Sequence, residues 1–280
     1  MTIRLTKLVG SLVVWCFDLL TGLICQRLRK KKAGTCVVLY YHVVTQEQRR
    51  LFAGQMDLLA TLCRPVSIDE MAKLEEGVHH AAVTFDDGFR SVILNALPEL
   101  EVRNIPVTIF VPSGWLGQSP SWTGVEAPLK AYETVLDPHQ LKELNNHALV
   151  SIGSHCISHP DLLRLEEYQA RNEIFASRRQ LEEILGSEIG LLSFPFGAFS
   201  EAHVKLASEA GYSRVFTTSP ELFAGNDSRG YVAGRVKADP TDWPIEFRLK
   251  VLGAYRWLPL AFSLKRRLIR SCVQVNAKKY

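Results

Sequence analysis

Two stretches of this chain bring acid–base and metal-binding side chains close together in sequence. Thr84-Phe85-Asp86-Asp87-Gly88 offers adjacent carboxylates before a glycine, and Gly153-Ser154-His155-Cys156-Ile157-Ser158-His159-Pro160 offers two imidazoles four residues apart. Neighbouring residues of a strand point to opposite sides, and Gly88 lets the chain turn sharply after them. With both aspartates near a strand's end, one can hold a cation while the other addresses a water. Asp-Gly alone is a common turn dipeptide, so the histidines carry the weight. Their spacing puts both rings on one face of a helical turn, within reach of one metal. One carboxylate and two imidazoles with open positions suit Zn²⁺, or Fe²⁺, Co²⁺ or Mn²⁺. Such a site acidifies a water for attack on a carbonyl. A third stretch, Ser193-Phe194-Pro195-Phe196-Gly197, joins a fixed bend to a glycine, so a main-chain N–H there could face a developing oxyanion.

These residues must be held by a scaffold, and the chain supplies an alternating one. Apolar, β-branched runs at 36–42, 81–85, 107–111, 149–154, 191–194, 214–218 and 231–236 read as seven buried strands. Between them, 51–62, 90–103, 136–147, 163–185 and 200–211 carry apolar residues at helical spacing. Asp137 and Ser200 stand where N-caps belong, and Gly211 where a helix ends. Strands alternating with helices predict parallel pairing, as an open sheet or a barrel; one barrel-like domain is the reading preferred here. No glycine-rich phosphate loop follows any strand, which argues against nucleotide binding. Each of the three stretches above ends a strand, where barrel active sites are built. The segment 114–133 is a long irregular connection whose Trp115 and Trp122 offer aromatic faces to a ligand or anchor the loop.

Composition sets the outer bounds. Of 280 residues, 47% are hydrophobic and 22% charged, which excludes a disordered or coiled-coil chain. A net charge of +4 does not imply nucleic-acid binding. Six cysteines without paired spacing predict reduced, mostly buried thiols. Residues 8–25 form an apolar run of about bilayer-crossing length, followed by QRLRKKK at 26–32. Asp18 within the run, and no small-residue cleavage site after it, argue against a removed signal peptide. Lys7, Ser11, Asp18, Gly22 and Arg29 fall along one stripe of a helix whose other faces are apolar. This pattern predicts a helix lying in a membrane interface with its basic end on anionic headgroups. If the helix instead spans, the basic cluster keeps the remainder on the cytoplasmic face, as at a bacterial inner membrane. Packing on the main domain is the third option. The stretch 255–270 again mixes aromatic, leucine and basic residues.

Taken together, TFDDG at 84–88, H-x-x-x-H-P at 155–160 and SFPFG at 193–197 resemble the three motifs of the polysaccharide deacetylase family, also known as the NodB-homology or carbohydrate esterase family 4 domain, in its F-A-Y-P-Y-G branch. VLYYHVV at 38–44, QMDLL at 55–59 and the stretch from Arg235 to Gly253 are similar to the branch's opening and closing elements. The resemblance covers roughly residues 36–253. It implies a distorted (β/α) TIM-like barrel; outside it, the residues themselves predict a membrane-associating helix and basic linker at 1–35 and a basic amphipathic tail at 254–280. The resemblance further implies metal-dependent removal of an N-acetyl or similar acyl group from an amino sugar of a polysaccharide or lipid-linked glycan. Asp86 would be the general base, and Asp87, His155 and His159 the ligands. Phe196 would lend its backbone N–H to the oxyanion, and Pro195 and Trp122 would border the substrate.

Departures from the pattern raise further expectations. Cys156 stands where Ser or Thr is usual, which weakens a hydrogen bond while keeping the size. Ser193 replaces the arginine that orients the base, and Arg235 is the candidate substitute. No histidine follows His203, so the usual late general acid is missing and His42, ending the first strand, is the candidate in its place. His79, His80, His139, His147 and His203 read as surface residues. Competing readings are a deformylase or deacetylase of an undecaprenyl-linked amino sugar, an O-esterase, and a catalytically silent glycan-binding module.

Overall fold

A computed structural model describes residues 2–27, 33–120, 122, 133–224 and 230–264. The basic run at 28–32, most of the long connection at 123–132 and the tail from 265 onward lie outside the described residues. Ten strands occur in chain order: β1 (Thr35–Tyr41), β2 (Arg64–Pro65), β3 (His79–Phe85), β4 (Val107–Val111), β5 (Val150–Ser154), β6 (Leu191–Ser193), β7 (Arg214–Phe216), β8 (Phe223–Ala224), β9 (Val232–Ala233) and β10 (Val236–Lys237). Eight follow one path, β10-β1-β3-β4-β5-β6-β7-β9, and every pairing along it is parallel. The two-residue strands β2 and β8 attach to β3 and β1 at the side. The path's two ends, β9 and β10, are separated in sequence only by Gly234 and Arg235, so the sheet must curl back on itself into a barrel. The run at 231–236, read from sequence as one strand, is therefore two. Its break places Arg235 inside the barrel.

Alternation along the strands sorts their side chains into two layers. Val37, Leu39 and Tyr41 of β1, with Ala81, Val83 and Phe85 of β3, pack outward in the main core beneath the helices. Cys36, Val38, Ala82, Phe110, Leu191, Phe216 and Ala233 form a second, inner cluster, joined by Val66, Ile68 and Met71. Burial of each valine, leucine, isoleucine, phenylalanine or methionine among them contributes about 1.5–3 kcal/mol. Thr84 and Asp86 continue the inward parity of Ala82 and are buried there.

The helices are α1 (Thr2–Arg27), α2 (Arg49–Leu62), α3 (Leu97–Val102), α4 (Pro138–Asn145), α5 (Glu167–Leu185), α6 (Glu201–Glu209) and α7 (Pro244–Val251). Asp137 and Ser200 cap α4 and α6 through side chains that accept from Gln140 N and His203 N. Gly211 follows α6 at φ 91°, a left-handed turn that glycine enters without strain. The helix expected over 90–103 begins as a π-helical stretch, Val92–Ala96, before α3.

The histidines read as surface residues divide. His139 is exposed and His147 half-exposed on Glu101. His80 and His203 are buried. His79 lies in β3, with its ring between Thr35 and the Val251 carbonyl. The β3 ladder extends two residues further toward the N-terminus than the apolar run, and Ser200 and His203 cap each other reciprocally.

Helix α1 packs on α7 and on the short helical turn Ala254–Trp257. Its polar stripe is the inward one. Arg4 pairs with Glu246 at 2.6 Å, Ser11 is fully buried and accepts from Trp257 Nε1 at 3.0 Å, and Asp18 takes both arms of Arg256. Gly10 permits the close approach, because a Cβ there would sit 2.3 Å from the Trp257 ring. Among the described residues no helix is long and apolar enough to cross a membrane.

Candidate active site

Every residue singled out for chemistry lies just past the C-terminal end of a strand: His42 after β1, Asp86 and Asp87 after β3, His155 and His159 after β5, Pro195 and Phe196 after β6, and Arg235 after β9. Side-chain placement there depends on unusual backbone. Of five non-glycine residues with positive φ among the described residues, four belong to these motifs: Asp87 (69°), Cys156 (64°), His159 (59°) and Phe196 (58°). Such conformations cost roughly 1–3 kcal/mol each and persist only where surrounding contacts enforce them. The left-handed turn at Asp87 swings its carboxylate away from ordinary strand alternation and toward the histidines.

Asp87, His155 and His159 are all buried, and one ligand atom from each lies within 4.8 Å of the others. Asp87 Oδ1 is 3.2 Å from His159 Nε2 and 3.8 Å from His155 Nε2. The imidazoles converge by a different route from the one the spacing predicts. Residues 155–159 are a bent loop, not a helical turn, and the positive φ values at Cys156 and His159 fold it. The rings meet edge to face at 4.8 Å.

The hydrogen bonds of His155 fix its tautomer. Its Nδ1 lies 2.7 Å from the Ser193 carbonyl, which can only accept, so Nδ1 carries the proton. Burial, above all other influences, pulls its pKa down to about 4, so the ring is neutral at pH 7 and Nε2 presents a lone pair. A lone pair facing a carboxylate oxygen is repulsive unless a cation lies between them. Two imidazoles and a carboxylate are also the donor set that borderline divalent metals prefer, so the residues fit a metal.

Asp86 is held separately. Arg235, fully buried, donates to both of its oxygens at 2.7 and 2.8 Å. The same guanidinium donates to Thr84 Oγ1 at 3.0 Å, Ser193 Oγ at 2.7 Å and the Thr217 carbonyl at 3.3 Å. Tyr40, Phe110 and Phe216 wall it in. Burial pushes the Asp86 carboxyl up, but Arg235, then His155 and His42, outweigh it and hold the group below the ordinary carboxylate range. Asp86 is thus a carboxylate at neutral pH. His42, half-buried with its ring edge on Tyr40 at 5.7 Å, is near enough for its charge to act on Asp86.

The third motif divides its labour. Pro195 is buried, so it shapes the turn from beneath. Phe196 is 61% exposed and stands its ring edge against His159 at 4.6 Å. Gly197 is confined by Thr218, which leaves no room for a Cβ. Trp122 stacks on His159 at 4.4 Å, with Trp115 edge-on behind it at 5.1 Å. One face of Trp122 is therefore taken up by the ligand histidine. Cys156 is fully buried, and burial pushes its thiol well above the ordinary range.

One residue, Glu173, went unmarked in the sequence, and Ser193 was marked only as a vacancy. Glu173 of α5 accepts from Ile157 N, Ser158 N and Ser158 Oγ at 2.7–2.9 Å, clamping the loop that carries both histidines. Ser193 serves both sides of the site, its carbonyl on His155 and its hydroxyl on Arg235. A glutamate fourteen residues past His159 on a surface helix carries no local signal, since only tertiary folding brings it back to the loop.

Comparison with known proteins agrees with this geometry. The family model described as polysaccharide deacetylase matches residues 73–215. YxkH of Bacillus subtilis is 28% identical over 158 residues, which are 56% of this chain and 51% of that protein. A peptidoglycan-N-acetylglucosamine deacetylase of Bacillus cereus is 28% identical over 138 residues, 48% of this chain and 42% of that one. The chain therefore spans about half or less of the length of these relatives. The solved structure of IcaB from Ammonifex degensii superimposes with a TM-score of 0.68 at 25% identity, covering 80% of this chain and 98% of that one. With its three motifs at the mouth of one barrel and the matched segment spanning half of its length, the chain belongs to the polysaccharide deacetylase family.

Proposed function

We propose that residues 36–253 form a catalytic domain that hydrolyses the N-acetyl, or a similar N-acyl, group of an amino sugar in a glycan. The observation that carries this reading is the convergence of Asp87, His155 and His159 beside an ionised, arginine-clasped Asp86. A binding module has no use for a base held in that state. Asp87, His155 and His159 would hold a divalent cation, with zinc the first choice for a mixed imidazole–carboxylate set and iron, cobalt or manganese as alternatives. When bound, that cation supplies Lewis acidity for the acyl carbonyl and for the attacking water.

The chain's own residues do the rest. Asp86 accepts the proton that water gives up as its oxygen bonds to the acyl carbon. Arg235 keeps Asp86 oriented and charged until that moment. The Phe196 amide N–H faces the oxyanion of the tetrahedral centre. As the carbon–nitrogen bond breaks, the leaving nitrogen needs a proton, and His42 is the group we assign to deliver it. The products are a free amino sugar and the carboxylate of the acyl group. Phe196 and the Trp115–Trp122 pair flank the cluster and offer rings against which a sugar could rest. The exposed apolar side of α1 favours a lipid-linked sugar over a freely soluble one.

The test combines metal analysis with measurement of acetate and formate released from N-acylated glycans and from lipid-linked amino sugars. Bound divalent metal and acyl release that falls by at least about a thousandfold in Asp86→Asn are expected. Wild-type protein that binds metal but releases no acyl group from any of these substrates, or equal turnover by Asp86→Asn, would overturn the reading. Acetate against formate, and polymer against lipid carrier, then select the substrate.

A further inference from the structure

We infer that this protein docks on an anionic bilayer through the outward face of α1 and the helical residues 258–264. The inference does not depend on the hydrolytic reading. Surface helices normally turn apolar residues in and polar residues out. Helix α1 turns Leu8, Leu12 and Trp15 in but sends its polar side chains the same way, because Arg4, Ser11 and Asp18 are consumed by Glu246, Trp257 and Arg256. Its outer side is left with Ile3, Leu5, Val9, Val13, Phe17 and Leu20, the last three 61–66% exposed, and no charged side chain among them. Leu260, Phe262 and Leu264 are exposed as well. A groove of about 840 Å³ lined by Val13, Phe17, Pro259 and Leu260, with Glu221 and Arg256 also on its wall, joins the two elements into one surface. Scattered apolar residues need no explanation, but a continuous, largely apolar face of this kind does.

Charge identifies the occupant. Residues 1–34 carry seven Lys or Arg and a single acid, Asp18, which Arg256 already neutralises. Residues 247–280 carry nine Lys or Arg and no acid. The body between them, 35–246, holds 17 Lys or Arg against 28 Asp or Glu. A nearly neutral chain is thus strongly basic at both ends that carry the apolar face and acidic elsewhere. Arg29 to Lys32 follow α1 in sequence, and Lys265 to Arg267 follow Leu264. Apolar side chains entering the acyl boundary, with lysines and arginines adjoining them in sequence, match a bilayer bearing anionic headgroups. A protein partner with an apolar patch would leave this charge division without a role.

Full-length protein is floated with phosphatidylcholine vesicles and with vesicles containing about 30 mol% phosphatidylglycerol, with and without added salt. Partitioning onto the phosphatidylglycerol vesicles is expected, weakened by salt. Val13→Glu/Phe17→Glu should lower the partition coefficient by about tenfold or more, and glutamine at Arg29, Lys30, Lys31 and Lys32 by a similar factor. Circular dichroism and thermal unfolding verify that each variant is folded, and the second variant leaves the helix face intact should the first fail. The inference is overturned by absence of binding, by undiminished binding of folded Val13→Glu/Phe17→Glu, or by a dimer that this variant dissociates, which would make a second copy the occupant. None of these outcomes bears on acyl release.

Discussion

Replacing Arg235 with methionine is the most demanding test of the site's construction. The guanidinium is fully inaccessible and makes five hydrogen bonds, two of them to a carboxylate that is itself 3% exposed. Removing one partner of a buried pair leaves the other charge without compensation, at a cost of about 3–5 kcal/mol. At roughly 2–4 °C per kcal/mol for a domain of this size, the melting temperature should fall by about 6–20 °C. Asp86→Asn strands the arginine and should cost a comparable amount. The double variant strands neither, so its loss should be far smaller than the two single losses together, a coupling of roughly 3 kcal/mol or more. The pH dependence has a definite sign. In the wild type the depressed Asp86 contributes its stability fully above about pH 4 and loses it only on further acidification. Without Arg235, burial dominates and the folded carboxyl titrates above its unfolded value. The variant should therefore lose stability as pH rises above about 4, the unfolded carboxyl's value, where the wild type does not. Urea and thermal unfolding followed by circular dichroism measure all of this. Losses that simply add, or an Arg235→Met variant within about 1 kcal/mol of wild type, would refute the buried-clasp argument.

Chelation by dipicolinate should abolish acyl release, and zinc, cobalt or manganese should restore it; full activity in metal-free protein would contradict the assignment of Asp87, His155 and His159. Glu173→Gln should weaken metal affinity by about 10–100-fold through loosening of the 156–158 loop, read by competition with a chromogenic chelator. Burial pushes the Cys36 thiol up to about 12 and the Cys156 thiol well above the ordinary range, so native protein at pH 8 should alkylate at exposed Cys16 while both buried thiols stay intact by peptide mass spectrometry. Gly153→Ala should destabilise by about 1–3 kcal/mol, since the new methyl would lie 2.5 Å from the Phe110 ring, and denaturant midpoints measure the loss.

Much of this architecture was legible because strands buried on both faces write themselves as uninterrupted apolar runs. Val107–Val111 and Val150–Ser154 could be delimited almost to the residue. Two-residue strands leave no such trace, so β2 and β8 were invisible, and the break at Gly234–Arg235 looked like one strand because both flanks are β-prone. Residue type and spacing marked Asp87, His155 and His159 as one cluster, and the structure brings the three together. Their geometry was not legible, since left-handed turns at Asp87, Cys156 and His159 come from tertiary contacts that helical periodicity does not encode. His80 and His203 were misplaced for a related reason: a polar ring can be buried wherever a neighbouring backbone group satisfies it, as the Thr35 carbonyl does for His80. Placing Arg235 beside Asp86 needed only the vacancy at Ser193 and a basic residue at the edge of the barrel.

Ser193 ties the proton-handling half of the site to the ligand-handling half through one short peptide. Sliding β6 by a fraction of an ångström would tilt the His155 ring and loosen the Arg235 fork in the same movement. The two functions therefore share a mechanical fate. Trimming the hydroxyl in Ser193→Ala would release the arginine alone, while a distortion of the strand would detune both at once.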